Sequence, residues 1–372
     1  MKAVTILIKP ASGKCNMRCR YCFYQDEAEN REHKDYGMMS EDTARALIDK
    51  ATEEFDDITF AFQGGEPTVR GLGFFRFFTG YAESKGKRVH FAIQTNGFLI
   101  DREWCDFLRE HRYLVGLSMD GDKALHDKYR VDGGDKGTFR RVFSSFQLLS
   151  STGVEFNVLI TLTKDAALRG KEIYQFLKRN GARYQQYIPC LDPMAKERGG
   201  EDFSLTPEAF LKFLKDVFLQ YYSDWEKGDY VSVRYFDNLV TMMMGLRPES
   251  CGLLGFCPSN YVAEADGSIF PCDFYVLDDY RLGNINTESF EDFDEKRKEI
   301  GFTEKSLKIE DECSSCPSFS LCRGGCRRDR ENFQTGELGL SYLCPAYKEF
   351  LPFASPYLSV MARAELRARQ GR

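Results

Sequence analysis

Cys15, Cys19 and Cys22 have the spacing C-x3-C-x2-C in the run CNMRCRYC. Three thiolates can hold three irons of a [4Fe–4S] cube and leave the fourth iron with an open coordination position, whereas a fully ligated cube takes four cysteines. Eight more cysteines lie toward the C-terminus: Cys251, Cys257, Cys272, Cys313, Cys316, Cys322, Cys326 and Cys344. That is the number two fully ligated four-iron clusters require. Two all-cysteine zinc sites would use the same thiolates, and spacing alone does not separate the two readings. Asp273 directly follows Cys272. A carboxylate beside a cluster ligand can take a proton while the cluster takes an electron, which suits an oxidation begun by loss of a hydrogen atom. A loop-capping aspartate is the plainer alternative. Cys105 and Cys190 are left over and are expected to be buried structural thiols.

These residues need elements to hold them. Strand-like segments recur at Val4–Ile8, Ile58–Phe62, Val89–Gln94, Leu114–Ser118, Glu155–Leu162 and Tyr184–Ile188. Helices fit between most of them, at Ser40–Phe55, Trp104–Arg109, Thr138–Ser150 and Lys171–Lys178, with Ser40 placed as an N-cap. Strands alternating with helices mean βα units and a parallel sheet. Six such units make a partial barrel, whose chemistry belongs on the loops at the C-terminal strand ends. The polar motifs fall there: the Cys15 loop, Gln63-Gly64-Gly65-Glu66-Pro67, Gln94-Thr95-Asn96-Gly97, Ser118-Met119-Asp120-Gly121 and Cys190-Leu191-Asp192-Pro193. The fold class expected is α/β, a partial (β/α)6 TIM-like barrel with a C-terminal cysteine-rich iron–sulfur domain. The divisions are 1–204 for the barrel, 205–250 for connecting helices, 251–346 for the cysteine-rich domain and 347–372 for a closing helix. The region 251–346 is rich in Gly, Pro and Cys and has too little apolar sequence for a large core, so metal must organise it.

Composition narrows the class. The chain has 372 residues, of which 42% are hydrophobic, enough for a sizeable core. A formal charge of -6 gives no electrostatic case for nucleic acid. No run of about 18 uncharged apolar residues marks a membrane span, and the start MKAVTILIKPASGKC lacks the features of a signal peptide. A cytoplasmic protein is expected. Thirteen cysteines against four histidines make thiolate the dominant ligand for any metal.

CNMRCRYC resembles the signature of the radical SAM superfamily, in which the open iron chelates S-adenosylmethionine (SAM) and one electron releases a 5′-deoxyadenosyl radical. The resemblance implies that Cys15, Cys19 and Cys22 hold this cluster and that Tyr21 lies by the SAM adenine. It implies that the Gly64-Gly65-Glu66 backbone, at Gly65, binds the SAM amino group. Ser118 and Arg130 are then contacts to ribose and carboxylate, and Leu191 a backbone contact to adenine. Gly267 before Cys272, the run Cys313-x2-Cys316-x5-Cys322-x3-Cys326 and the final Cys344 resemble the SPASM extension. That resemblance implies one auxiliary cluster on Cys251, Cys257, Cys272 and Cys326 and another on Cys313, Cys316, Cys322 and Cys344, for three [4Fe–4S] clusters in all.

Over nearly its full length the chain resembles anaerobic sulfatase-maturating enzymes. The matches run from LIKPASGKCNMRCRYCFY through TFAFQGGEP, LVGLSMDG, VSVRYFD and PCDFYVLDDYRLGNI to CRGGCRR. This implies oxidation of a cysteine or serine Cβ in a sulfatase to formylglycine, with Asp273 taking the thiol or hydroxyl proton and the auxiliary clusters accepting the electron. It implies an unfolded or nascent sulfatase segment as partner and an electron donor such as flavodoxin or ferredoxin. A monomer without nucleic-acid or membrane partners is expected. Other SPASM enzymes form thioether or carbon–carbon crosslinks in peptides, and that is the alternative activity; a zinc-stabilised binding protein is the alternative class.

Overall fold

The computed structural model describes residues 2–370. Its strands are β1 (Ala3–Ile8), β2 (Asp57–Phe62), β3 (Arg88–Thr95), β4 (Leu114–Ser118), β5 (Phe156–Leu162), β6 (Tyr184–Pro189), β7 (Ser232–Val233), β8 (Tyr261–Ala263), β9 (Ser268–Phe270) and β10 (Gly283–Asn284). The first six match the strands expected from the sequence. The expected helices are also present, at Glu41–Glu54, Arg102–Glu110, Phe139–Thr152 and Gly170–Arg179. Ser40 caps the first of these by accepting from the Thr43 N–H. Ala44, Leu47, Ile48 and Ala51 recur at helical spacing and form its buried stripe.

The chain divides into two compact units that do not follow sequence order. The first comprises Met1–Met119, His126–Val158 and Ser259–Phe302. Within it β1 to β4 are parallel neighbours in chain order, and the Val115 N–H donates to the Glu155 carbonyl just before β5. Ile58, Phe60 and Phe62 alternate along β2 and are buried, with Phe60 and Phe62 edge-on to Phe78 from the helix Leu72–Glu83. On the other side of β1 runs β8, also parallel, with Ile8 opposite Ala263. Antiparallel β9 and β10 follow β8. This late hairpin brings Cys272 and Asp273, which come just after β9, onto the same unit as the Cys15 loop, which comes just after β1.

The second unit comprises Asp120–Leu125, Leu159–Pro258 and Thr303–Arg372. In it β6 pairs with β7, a two-residue strand the sequence does not announce. The helices Pro207–Glu226, Arg234–Met243 and Cys344–Gln370 pack through Phe218, which is edge-on to Phe236 and Phe350. The closing helix was expected from Tyr347; it starts at Cys344 instead. Pro345 sits in its first turn, where a missing N–H breaks no helical hydrogen bond. Residues 371 and 372 of the expected helix lie outside the described residues.

Candidate active site

The C-terminal ends of β1 to β4 carry the Cys15 loop, Gln63–Glu66, Asn96 and Ser118. Cys15 is exposed, and Cys19 and Cys22 are half-buried. Although the residue as a whole is exposed, the protein packed around the Cys15 thiol and, with it, Glu66 and the two neighbouring thiols push that thiol up to about 12, against the Met17 N–H. Thiols crowded in this way are poorly placed to ionise unless a cation shares the site. Asn96 Nδ2 donates to Cys15 Sγ at 3.6 Å and to Asn16 Oδ1 at 2.8 Å. Asn16 Nδ2 is buried beside them without an acceptor. A thiolate-bound iron–sulfur cube fits these donors, since its sulfur atoms accept N–H hydrogen bonds.

The GGE turn packs on this loop. A Cβ on Gly65, whose φ is +51°, would stand 2.8 Å from the Ser12 carbonyl oxygen and collide with that of Lys14. The Glu66 N–H donates to the Lys14 carbonyl at 2.8 Å. The Glu66 carboxylate is buried and accepts from the Thr68 N–H and hydroxyl, the Thr95 hydroxyl and the Asn96 N–H. Burial raises its carboxyl, and these donors oppose that. Gly65 is thus required by close backbone approach as well as by conformation. Gly65→Ala is expected to cost at least about 1–3 kcal/mol of stability and to lower iron loading. Thermal melting and iron analysis of the purified variant check this; an unchanged melting curve with full iron would contradict it.

Tyr21 and Arg130 come together, with the guanidinium 5.5 Å from the ring centroid. Backbone pairing holds them: Arg18 N–H donates to Val131 O, and Arg20 N–H to Tyr129 O. Ser118 is half-buried at the end of β4.

Asp273 is not a loop cap, since its carboxylate accepts from the side chains of Tyr24 and Gln63. Its side chain is 13% exposed and sits in a buried polar cluster. Oδ2 accepts from the Tyr24 hydroxyl at 2.8 Å and from Gln63 Nε2 at 2.6 Å. Lys9 Nζ lies 3.5 Å from Oδ1, and Oδ1 is buried without a hydrogen-bond partner. Lys9 also pairs with Glu27 at 2.7 Å and reaches Glu264 at 3.9 Å, and Arg31 pairs with Glu264 at 3.0 Å. Burial raises the Asp273 carboxyl, with Lys9 and the Tyr24 hydrogen bond opposing it. Burial likewise raises Glu27 against the pull of Lys9. Breaking a buried pair of this kind by removing one partner costs about 3–5 kcal/mol. Lys9, Tyr24, Gln63, Glu27 and Glu264 were not among the site residues read from the sequence.

In the second unit, Cys313, Cys316, Cys322 and Cys344 line one small cavity, with Phe319 and Tyr347. Surrounding protein pushes the Cys322 thiol up to about 11, with Cys344, Cys313 and Cys316 contributing. Gly252, the residue after Cys251, lies by Cys326, whose Cβ is 3.7 Å from where a side chain on that glycine would begin. The Cys257 N–H donates to Ser306 Oγ at 2.9 Å. Cys272 belongs to the first unit, just past β9. Among the described residues no three His, Cys, Asp or Glu side chains converge on a single ion. Cysteines of a four-iron cube bind separate irons and stand farther apart than the ligands of one tetrahedral zinc. Leu191 is half-buried in the loop after β6. Arg328 holds that loop by donating to the Asp192 carbonyl at 2.9 Å. Of the two leftover thiols, Cys105 is buried as expected, whereas Cys190 is only half-buried because it lies past the end of β6 in that loop.

The radical SAM superfamily model matches residues 10–177, and the SPASM iron–sulfur cluster-binding model matches 256–317. A cysteine-type anaerobic sulfatase-maturating enzyme from Clostridium novyi (strain NT) is 41% identical over 94% of this chain and 95% of its own. A serine-type enzyme from Bacteroides thetaiotaomicron is 29% identical over 97% of this chain and 92% of its own. The solved structure of native anSMEcpe with bound AdoMet and the Cp18Cys peptide superposes with a TM-score of 0.92 at 40% identity, covering 97% of this chain and 99% of that one. Parallel strands leading into a three-cysteine loop, followed by the matched cysteine-rich region, define a radical SAM protein with a SPASM domain; the cofactors of this class are SAM and [4Fe–4S] clusters. Within that class, the chain belongs to the anaerobic sulfatase-maturating enzymes.

Proposed function

We propose that this enzyme oxidises a cysteine Cβ in an unfolded sulfatase segment to formylglycine. The observation that carries the reading is Asp273, next to Cys272, with Oδ2 held by Tyr24 and Gln63 and Oδ1 buried, 3.5 Å from Lys9 Nζ and without a hydrogen-bond partner. Cys15, Cys19 and Cys22 hold the SAM-binding cluster, and the eight later cysteines hold two auxiliary clusters in the sets given above. Bound SAM and iron–sulfur clusters supply the radical that takes a Cβ hydrogen atom and the acceptor for the second electron. Tyr21, Gly65, Ser118, Arg130 and Leu191 orient SAM. Asp273 Oδ1 takes the substrate thiol proton, so that loss of a hydrogen atom, a proton and an electron leaves a C=S bond. Water then converts this to the aldehyde with release of hydrogen sulfide. Burial raises the Asp273 carboxyl, which makes its carboxylate a stronger base.

Preference for cysteine over serine is supported by the higher identity to the cysteine-type relative. A thiol is also far more acidic than an alcohol, which lightens the demand on the base. Under anaerobic conditions with SAM and a reductant, a Cys-x-Pro-x-Arg peptide is expected to turn over faster than a Ser-x-Ala-x-Arg peptide. Mass spectrometry of the formylglycine product reads this. Crosslinked peptide without aldehyde would favour the alternative SPASM chemistry. A monomeric, cytoplasmic enzyme served by flavodoxin or ferredoxin completes the proposal. Its thirteen free thiols suit a reducing compartment, and among the described residues no helix is long and apolar enough to cross a membrane.

A further inference from the structure

We infer that Lys9 is a positioning residue for Asp273, and that Gly64 is glycine in part to let the Lys9 side chain pass. The inference rests on the proposed role of Asp273 as the proton acceptor. Lys9 leaves the end of β1, where its N–H donates to Ala263 O on β8 at 2.8 Å. A side chain on Gly64 would collide with Lys9 Cγ and come within 2.8 Å of Cδ and 3.0 Å of Cβ. The lysine stem therefore runs across the glycine, in space that a Cβ would fill. Gln63, the residue before that glycine, is the one that donates to Asp273.

Beyond the glycine the ammonium meets carboxylates from three different segments. Glu27, on the helix Phe23–Glu29 after the cysteine loop, lies 2.7 Å away. Glu264, just past β8, lies 3.9 Å away, and Asp273, just past β9, 3.5 Å away. Glu27 in turn accepts from the Val276 N–H at 2.9 Å, three residues beyond Asp273. Lys9 and Glu27 together thus tie the Asp273 segment at two points to β1 and to the helix that follows the cysteine loop. The lysine is 1% exposed, too enclosed to serve as a surface cation. Its distance from Asp273 Oδ1, longer than a hydrogen bond, attracts that oxygen while leaving its lone pairs unoccupied. Oδ2 is already saturated by Tyr24 and Gln63. The cluster therefore aims one oxygen and locks the other.

Removing Lys9 alone takes the cation from Glu27 and Asp273, while Glu264 keeps its pair with Arg31, so the test pairs Lys9→Met with the charge-balanced double variant Lys9→Met/Glu27→Gln. Each iron-loaded enzyme is given SAM, a reductant and a substrate peptide with a dideuterated cysteine Cβ. Deuterium in 5′-deoxyadenosine reports hydrogen abstraction, and formylglycine reports completed oxidation. The expected result is full iron and retained deuterium transfer, with formylglycine per 5′-deoxyadenosine falling about tenfold or more, as for a misplaced catalytic group. An unchanged ratio overturns the role of Lys9. Equal losses of deuterium transfer and product, or loss of iron from both variants, also overturn it by making Lys9 merely structural. Asp273→Asn run in parallel separates the failures. Full product from that variant sinks the base assignment and Lys9 with it, whereas product lost there but kept in the Lys9 variants sinks Lys9 alone.

Discussion

Cys15→Ala is expected to abolish SAM cleavage. Two thiolates, Cys19 and Cys22, would remain for a cube that needs three protein ligands to leave one iron open. The substitution also strands donors. Asn96 Nδ2 and the Met17 N–H lose the sulfur they point to at 3.6 Å and 3.3 Å, beside Asn16 Nδ2, which already lacks an acceptor. Anaerobically reconstituted variant should hold about eight irons, against about twelve for three four-iron clusters in the native protein. Chromatography of the reaction mixture should show no 5′-deoxyadenosine above background. Normal 5′-deoxyadenosine output would remove the three-cysteine loop from the chemistry.

Asp273→Asn should separate the two halves of the reaction. The amide keeps the shape of the carboxylate, and its oxygen can still accept from Tyr24 and Gln63, which donate to Oδ2 in the native protein. Lys9 keeps its 2.7 Å pair with Glu27, so the cluster retains an anchor. The lost property is the ability to take a proton at Oδ1. Iron content and SAM cleavage are therefore expected to persist, while formylglycine formation falls by about 10²–10⁴-fold, the usual worth of a positioned general base. Peptide mass spectrometry beside a 5′-deoxyadenosine assay measures both halves in one reaction. Undiminished formylglycine would exclude Asp273 as the base.

The sheet was legible because its signal is local. Apolar alternation such as Ile58, Phe60 and Phe62, punctuated by Gly-containing turns, announces a strand without reference to distant residues. The cysteine clusters were legible because thiolate spacing is itself the ligand pattern. Lys9 and Glu27 carried no such mark. A lone lysine after a strand and a glutamate in an acidic helix read as solvated surface, and only burial beside a third carboxylate gives them meaning. Gln63 and Tyr24 stood next to recognised motifs, yet nothing in their spacing pointed to Asp273.

By itself the chain carried the resemblance that marks its class of chemistry, since three closely spaced thiolates suit a four-iron cube with one open iron. It also determined that Cys272 and Asp273 act as neighbours, because they are adjacent along the backbone. Only the tertiary structure decided that Asp273 joins the unit of the cysteine loop, through β8 lying parallel to β1 and β9 turning back beside it. Sheet pairing between segments some 250 residues apart depends on which edge of β1 is free once β2 is in place, and no local pattern encodes that. The same pairing places Lys9, Glu27 and Glu264 around Asp273, so the polar surroundings of the proposed base are set by the fold and its bare position by the sequence.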